Sequence, residues 1–289
     1  MLRIALLLSL LSVSPSYAKT PDARPALWKV VSKTATIYLF GSVHVLPKGV
    51  AWHTPALKKA EAEASTLFLE INDVDDHAKL AQEFQAVATA PNLPDVLDRV
   101  PSAKRAGLKA LFDKAQIPPA ALKGYKSWAV GITLGALLIK DLKYSADDGV
   151  EHGLTADFTA AHKSINGLET SAQQFGFFNE LSDKAQARFL ESVIDDAPNV
   201  ERDTAKMISA WESGNPQIIA EAFDKDMKKE PELQRILIHN RNANWAGWVV
   251  ARLRGKGTTL VAVGAGHLAG SDSLIAMLRA KGLRVVRVS

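Results

Sequence analysis

The chain has 289 residues, no cysteine and a formal net charge of +4. The missing cysteines exclude disulfides, thiolate metal ligands and a lipoprotein anchor. The basic residues are spread along the chain with no basic block or basic-aromatic pattern, so no nucleic-acid partner is expected.

Met1–Ala18 reads as a secretory leader: Arg3 is a short positive region, Ile4–Leu11 an apolar core, and Ser16-Tyr17-Ala18 a small-x-small cleavage signal. Residues 19–289 should then form the exported domain, periplasmic or secreted. The apolar core is too short to span a bilayer, so no stable membrane insertion is expected after cleavage.

Leu27–Val31 and Ala35–Phe40 are β-prone runs around Ser32-Lys33-Thr34, the pattern of a hairpin. The second run leads into Gly41-Ser42-Val43-His44. Thr54-Pro55 then opens a helix to Ala64, since threonine caps free N–H groups and proline suits the first helical position. A strand from Thr66 follows, closing on Glu70. The pattern recurs near the other end: Leu260–Val263, Gly264-Ala265-Gly266-His267, a helix from Ser271-Asp272 to Lys281, and a strand Leu283–Val288. Two such units place a histidine beyond a strand end, where open α/β sheets build their sites. We expect the sheet to bring His44 and His267 into one site.

Between the units the spacing is helical from His77 to about Leu142 and again from about Ser182 to Lys256. Trp128–Ile139, the most apolar segment after the leader, is too short to span a membrane and reads as a buried helix, with Gly131 and Gly135 allowing close packing. A helix is expected from about Leu154 to His162, just after Glu151, and a strand Ser164–Thr170 carries Glu169 near its end. Within the last helix before the second unit, Arg241 could clamp a carboxylate. His53 and His162 read as surface histidines, and His152 has no assigned role.

Two histidines with strand-end glutamates form a nitrogen and oxygen donor set that suits zinc, manganese, cobalt or ferrous iron. A metal with an open position would polarise a carbonyl and acidify a bound water, with a spare glutamate as base. The alternative is a non-catalytic protein that captures a peptide, haem or other small ligand, its pocket lined by Trp52, Trp245 and Trp248.

Strand-G-x-x-H, strand-Glu70, Gly149-Val150-Glu151, Gly167-Leu168-Glu169-Thr170-x-x-Gln173, Arg241-Asn242 and Val263–Leu268 together resemble the TraB/GumN family, relatives of the pheromone-shutdown proteins and the Tiki proteases. The resemblance implies a single-domain α/β fold of the erythromycin-esterase and ChaN-like kind. It would have a central mixed sheet and a large helical insertion. It also implies a metal-dependent peptidase. On this chain His44, His267 and Glu151 would face a manganese, cobalt or zinc ion. Glu70 or Glu169 would serve as ligand or base, and Arg241 would orient the site or stabilise an oxyanion. The partner would be a peptide or small-molecule substrate.

Overall fold

In the computed structural model the described residues are 23–73, 76–140, 142, 144–227 and 230–289. The expected leader, Met1–Ala18, lies outside them. Alternation along the strands decides the two faces of the sheet. In β2 (Ala35–Ser42) Tyr38 and Phe40 join one apolar cluster while Ile37 and Leu39 join another. Leu260 and Ala262 divide from Val261 and Val263 in the same way on β5 (Gly257–Gly264). Strands covered on both sides need apolar residues at every position, hence the unbroken runs.

The sheet also contains β1 (Leu27–Val31), β3 (Thr66–Leu69), β4 (Ser164–Gly167) and β6 (Val285–Arg287), in the order β4-β3-β5-β2-β1-β6. The expected hairpin pairs β1 antiparallel to β2, and β6 pairs antiparallel to β1 at the edge. The β2–β5, β5–β3 and β3–β4 pairs are all parallel. Their carboxyl ends therefore open on the same edge of the sheet.

One face is covered by α1 (Pro55–Glu63) and α5 (Val150–Ala160) through Leu57, Ala60, Val150, Leu154 and Phe158. The other is covered by α11 (Asn240–Arg252) and α12 (Leu274–Ala280) through Trp245, Val249, Leu274 and Leu278. Each of the leucine, valine and phenylalanine side chains contributes about 2 kcal/mol when fully buried. The helical insertion includes α2 (His77–Ala88), α3 (Ser102–Ala115), α4 (Ser127–Lys140), α6 (Ser171–Asn179) and α7 (Asp183–Asp196). It has its own cores, one of α3, α4 and α7 and one centred on Trp128 and Phe178. The segment Trp128–Ile139 is the buried helix expected, and no helix among the described residues is long and apolar enough to cross a membrane. At Gly131 an added Cβ would lie 2.9 Å from the Phe189 ring, so this glycine permits the close approach of α4 and α7.

The strands over 164–170 and 283–288 are shorter than expected, Ser164–Gly167 and Val285–Arg287, and two helix starts also differ. The fifth helix begins at Val150 rather than near Leu154. Its Gly149 cap lies so close to the first G-x-x-H loop that a Cβ there would be 2.2 Å from the His44 carbonyl oxygen. The last helix begins at Leu274 rather than Ser271. Ser273 caps it by accepting from Ala276 N–H, while Asp272 is drawn away to His239 Nδ1 at 2.8 Å.

Candidate functional site

The order of parallel strands brings the expected residues to one edge. Glu169 lies beyond β4, Glu70 beyond β3, His267 beyond β5 and His44 beyond β2, on four successive strands. The second G-x-x-H strand is inserted between the two strands of the first unit. Arg241 reaches the same edge from the first turn of α11, which a π-helical segment (Gln234–His239) feeds directly. Arg241 and Asn242 occupy the N-terminal end of a buried stripe that continues through Trp245, Ala246 and Val249. The helical period thus turns two polar side chains towards the sheet.

Arg241 is the centre of a buried ion network. Its Nη2 donates to Glu70 Oε2 at 2.6 Å and to Glu169 Oε2 at 2.8 Å, and its Nε donates to Glu169 Oε1 at 3.0 Å. Its Nη1 lies 3.2 Å from His267 Nε2. The guanidinium also sits over the Trp245 ring, 4.8 Å from the centroid. Gln174 Nε2 donates to Glu70 Oε2 at 3.1 Å, and the Gly264 backbone N–H donates to Glu70 Oε1 at 2.8 Å. Burial opposes ionisation of Glu70 and is the largest single influence, but the surrounding donors and cations together outweigh it. Helped by both histidines and the Gly264 N–H, Arg241 holds this carboxyl well below the ordinary range. Glu169 goes the other way: burial and the charge of Glu70 raise it despite Arg241.

A guanidinium can only donate, so His267 Nε2 accepts and its Nδ1 carries the proton. Nδ1 lies 2.9 Å from Asn242 Oδ1, the matching acceptor. Asn242 is itself fixed, donating from Nδ2 to the Asp272 carbonyl at 2.8 Å. Burial lowers the His267 pKa. Glu70 opposes that shift in part, Arg241 and His44 reinforce it, and the result is about 3. His267 is therefore a neutral imidazole at any ordinary pH.

His44 has the opposite surroundings. Its Nδ1 faces Glu151 Oε1 at 2.8 Å, and its side chain is 25% exposed while that of Glu151 is 12%. Burial alone would lower its pKa, but the charge and hydrogen bond of Glu151, with Glu70 behind them, push it up to about 9. Glu151 is held low in return, chiefly by His44 against the cost of its own burial.

The two motifs meet at glycine. An added Cβ on Gly41 would lie 3.1 Å from Ala265 Cα, so the first glycine lets the loops touch. One on Gly264 would lie 3.2 Å from Glu70 Oε1, 3.7 Å from His267 Cδ2 and 4.0 Å from His44 Nε2. The space over Gly264 is thus bordered by Glu70 Oε1, the Cδ2 edge of His267 and Nε2 of His44, whose donor atoms do not all lie within 4.8 Å of one another.

Glu151 does not occupy the ligand position expected of it: it lies against Nδ1 of His44, on the far side of the ring from Nε2. The early start of α5 explains this, because it carries Glu151 one turn back under the first loop. Of the three tryptophans expected to line one pocket, only Trp245 is at the site, 4.6 Å from the His267 ring. Trp52 stacks on Phe40 in one sheet-face core, and Trp248 packs on Phe68 against the other. Sequence assigns no role to three participants: Asn242, present only as the second residue of the Arg241-Asn242 motif, Gln174, a polar residue in an otherwise apolar helical stripe, and the backbone N–H of the motif glycine Gly264.

A parallel-centred sheet with its polar side chains gathered at the carboxyl edge defines an α/β protein with a strand-end site. The chain belongs to the TraB/PrgY/gumN family, whose profile matches residues 26–287. No curated protein and no solved structure matches it significantly.

Proposed function

We propose that the chain is an exported metal-dependent hydrolase, acting on peptides, that holds a divalent transition metal (manganese, cobalt or zinc) over Gly264. The observation that carries this is the anchoring of both imidazoles. His44 Nδ1 lies 2.8 Å from Glu151 Oε1 and His267 Nδ1 lies 2.9 Å from Asn242 Oδ1, so each ring turns Nδ1 to a side-chain oxygen, as metal-binding histidines do. Glu70 Oε1 stands beside the same space as a third donor. Once a bound metal displaces the His44 proton, Glu70, Glu151 and Glu169 face one guanidinium, an acidic excess that suits a cation.

When bound, the metal would polarise a carbonyl and lower the pKa of a bound water. The chain's own residues do the rest. Glu151 and Asn242 orient the two rings. Arg241 offsets the charge of Glu70 and Glu169 and fixes their geometry, leaving Glu70 Oε1 on the Gly264 N–H, 3.8 Å from His267 Nε2. Glu169, held by three Arg241 contacts, acts as a positioning carboxylate rather than a free base. The exposed edge of His44 is the route by which a substrate carbonyl would approach.

One contact favours a second reading. Arg241 Nη1 already engages His267 Nε2, the nitrogen a metal would need. If that contact persists, the edge is a metal-free pocket that captures a peptide, haem or other small ligand. Cobalt(II) substitution of chelator-treated protein separates the two. The hydrolase reading expects visible d–d absorption that His44→Gln and Gly264→Ala both reduce, with cobalt restoring cleavage of a peptide library. Absorption unchanged by either substitution, or a Soret band in the purified protein, would favour capture and sink the metal site.

A further inference from the structure

Among the described residues, the one group of three histidine or acidic side chains whose donor atoms lie within 4.8 Å of one another is not at the strand-end site. It is His53, Glu61 and Asp157. His53 lies in the loop that follows His44, Glu61 on α1 and Asp157 on α5, the two helices that cover one face of the sheet. His53 Nε2 is 2.8 Å from Asp157 Oδ2 and 3.9 Å from Glu61 Oε1.

Two observations set the cluster apart from an ordinary surface ion pair. The His53 ring is fixed, stacked on Trp52 with centroids 3.7 Å apart and planes 24° from parallel. Trp52 in turn lies against α5 where Gly153 leaves room, since a Cβ there would come within 2.6 Å of the indole. Glu61 Oε1, in a side chain only 15% exposed, is buried with no hydrogen-bond partner. An unpaired buried carboxylate oxygen costs free energy that a cation would recover. Burial, reinforced by Asp157 and eased by Lys58 and Lys163, raises the Glu61 carboxyl to about 7. The Lys163 ammonium does not fill the gap, because it is committed to the Glu61 and Ala62 carbonyls at 2.6 and 3.1 Å.

We propose that His53, Glu61 and Asp157 form a second, structural site for a zinc-class divalent cation that clips the loop after His44 to α1 and α5. One imidazole and two carboxylates suit zinc, cobalt or nickel better than magnesium or calcium. Tetrahedral zinc with bonds of about 2.0 Å needs donors roughly 3.3 Å apart, and the observed spacings bracket that value. Because α5 also carries Glu151, the clip would brace both carriers of the His44–Glu151 ion pair.

The test compares zinc content and thermal unfolding of chelator-treated, zinc-titrated wild type with His53→Gln/Asp157→Asn. Both substituted side chains are partly exposed, at 31% and 50%, so the variant should fold. The wild type should bind one equivalent more than the variant. At zinc about 100 times the Kd of this site its unfolding constant should fall about 100-fold further. Glu61→Gln should weaken the site, and magnesium should not substitute. Equal zinc content and equal thermal response in wild type and variant would overturn the proposal. The difference is read on an intact strand-end site, so it stands or falls separately from the hydrolase reading.

Discussion

The two G-x-x-H histidines carry one motif into opposite electrical surroundings. His44 leaves β2 at a bend, pairs with a carboxylate, keeps a quarter of its side chain in solvent and has its pKa raised to about 9. His267 leaves β5 in a 3₁₀ turn (Ala265–Leu268), pairs with a neutral amide, is sealed between Trp245 and Arg241 and has its pKa lowered to about 3. Register contributes to the difference. Gly41 pairs with Val263 across the sheet and Ser42 with Gly264, so the two motifs are offset by one residue. A sequence motif therefore fixes where an imidazole leaves a sheet but not its charge, which the neighbouring strands and helices decide.

The comparison breaks most severely at Arg241. Arg241→Met should leave Glu70 and Glu169 buried without their cation and cost about 3–5 kcal/mol, measured by urea unfolding. A loss below about 1 kcal/mol would mean the network does not hold the His267 half together.

Next in size is a pH effect confined to His44. Its raised pKa means that its stabilising contribution is fully present below about pH 6.5 and is lost as pH rises through about 9. Chelator-treated protein should therefore lose on the order of 2–3 kcal/mol across that window, and His44→Gln should flatten the slope. His267→Gln should leave the slope in place, because His267 is already neutral throughout the window. A slope that follows His267 would reverse the assignment of charge.

Gly264→Ala sharpens the comparison at the point where the halves meet. The added methyl finds ordinary backbone angles, with φ −47° and ψ 133°, and one tight neighbour, Glu70 Oε1. Stability should change by less than about 1.5 kcal/mol, while metal bound over Gly264 is lost. Smallest is Thr170→Ala. It breaks the capping box with Gln173 that starts α6, the helix whose Gln174 holds Glu70. The expected cost is about 1 kcal/mol by thermal or urea unfolding.

What was legible in the sequence follows the range of each interaction. The hairpin, the Thr54-Pro55 helix start, the buried Trp128 helix and the strand-end position of Glu70 depend on neighbours within a few residues, and local pattern carries them. The strand order does not. Nothing near Leu260 says that β5 enters between β2 and β3, yet that insertion is what puts His267 beside both His44 and Glu70. Glu151 reads in sequence as a metal ligand, because Asp147-Asp148-Gly149 gives no sign that α5 begins immediately afterwards and docks on the His44 carbonyl. His53 reads as a surface histidine but is half-buried on Trp52, and its carboxylate neighbours lie on two separate helices. His162 is exposed and in the left-handed region at φ 54°.

The central claim is that His44 and His267 hold one cation between them. The most direct measurement is the metal stoichiometry of protein purified without chelator, made in the His53→Gln/Asp157→Asn background so that only the strand-end site is counted. One equivalent of manganese, cobalt or zinc is predicted, falling to none when His44→Ala and His267→Ala are added to a chain still folded by circular dichroism. No bound metal before those substitutions, even after loading with each ion, would contradict the account and leave Arg241 as the only cation the two histidines share.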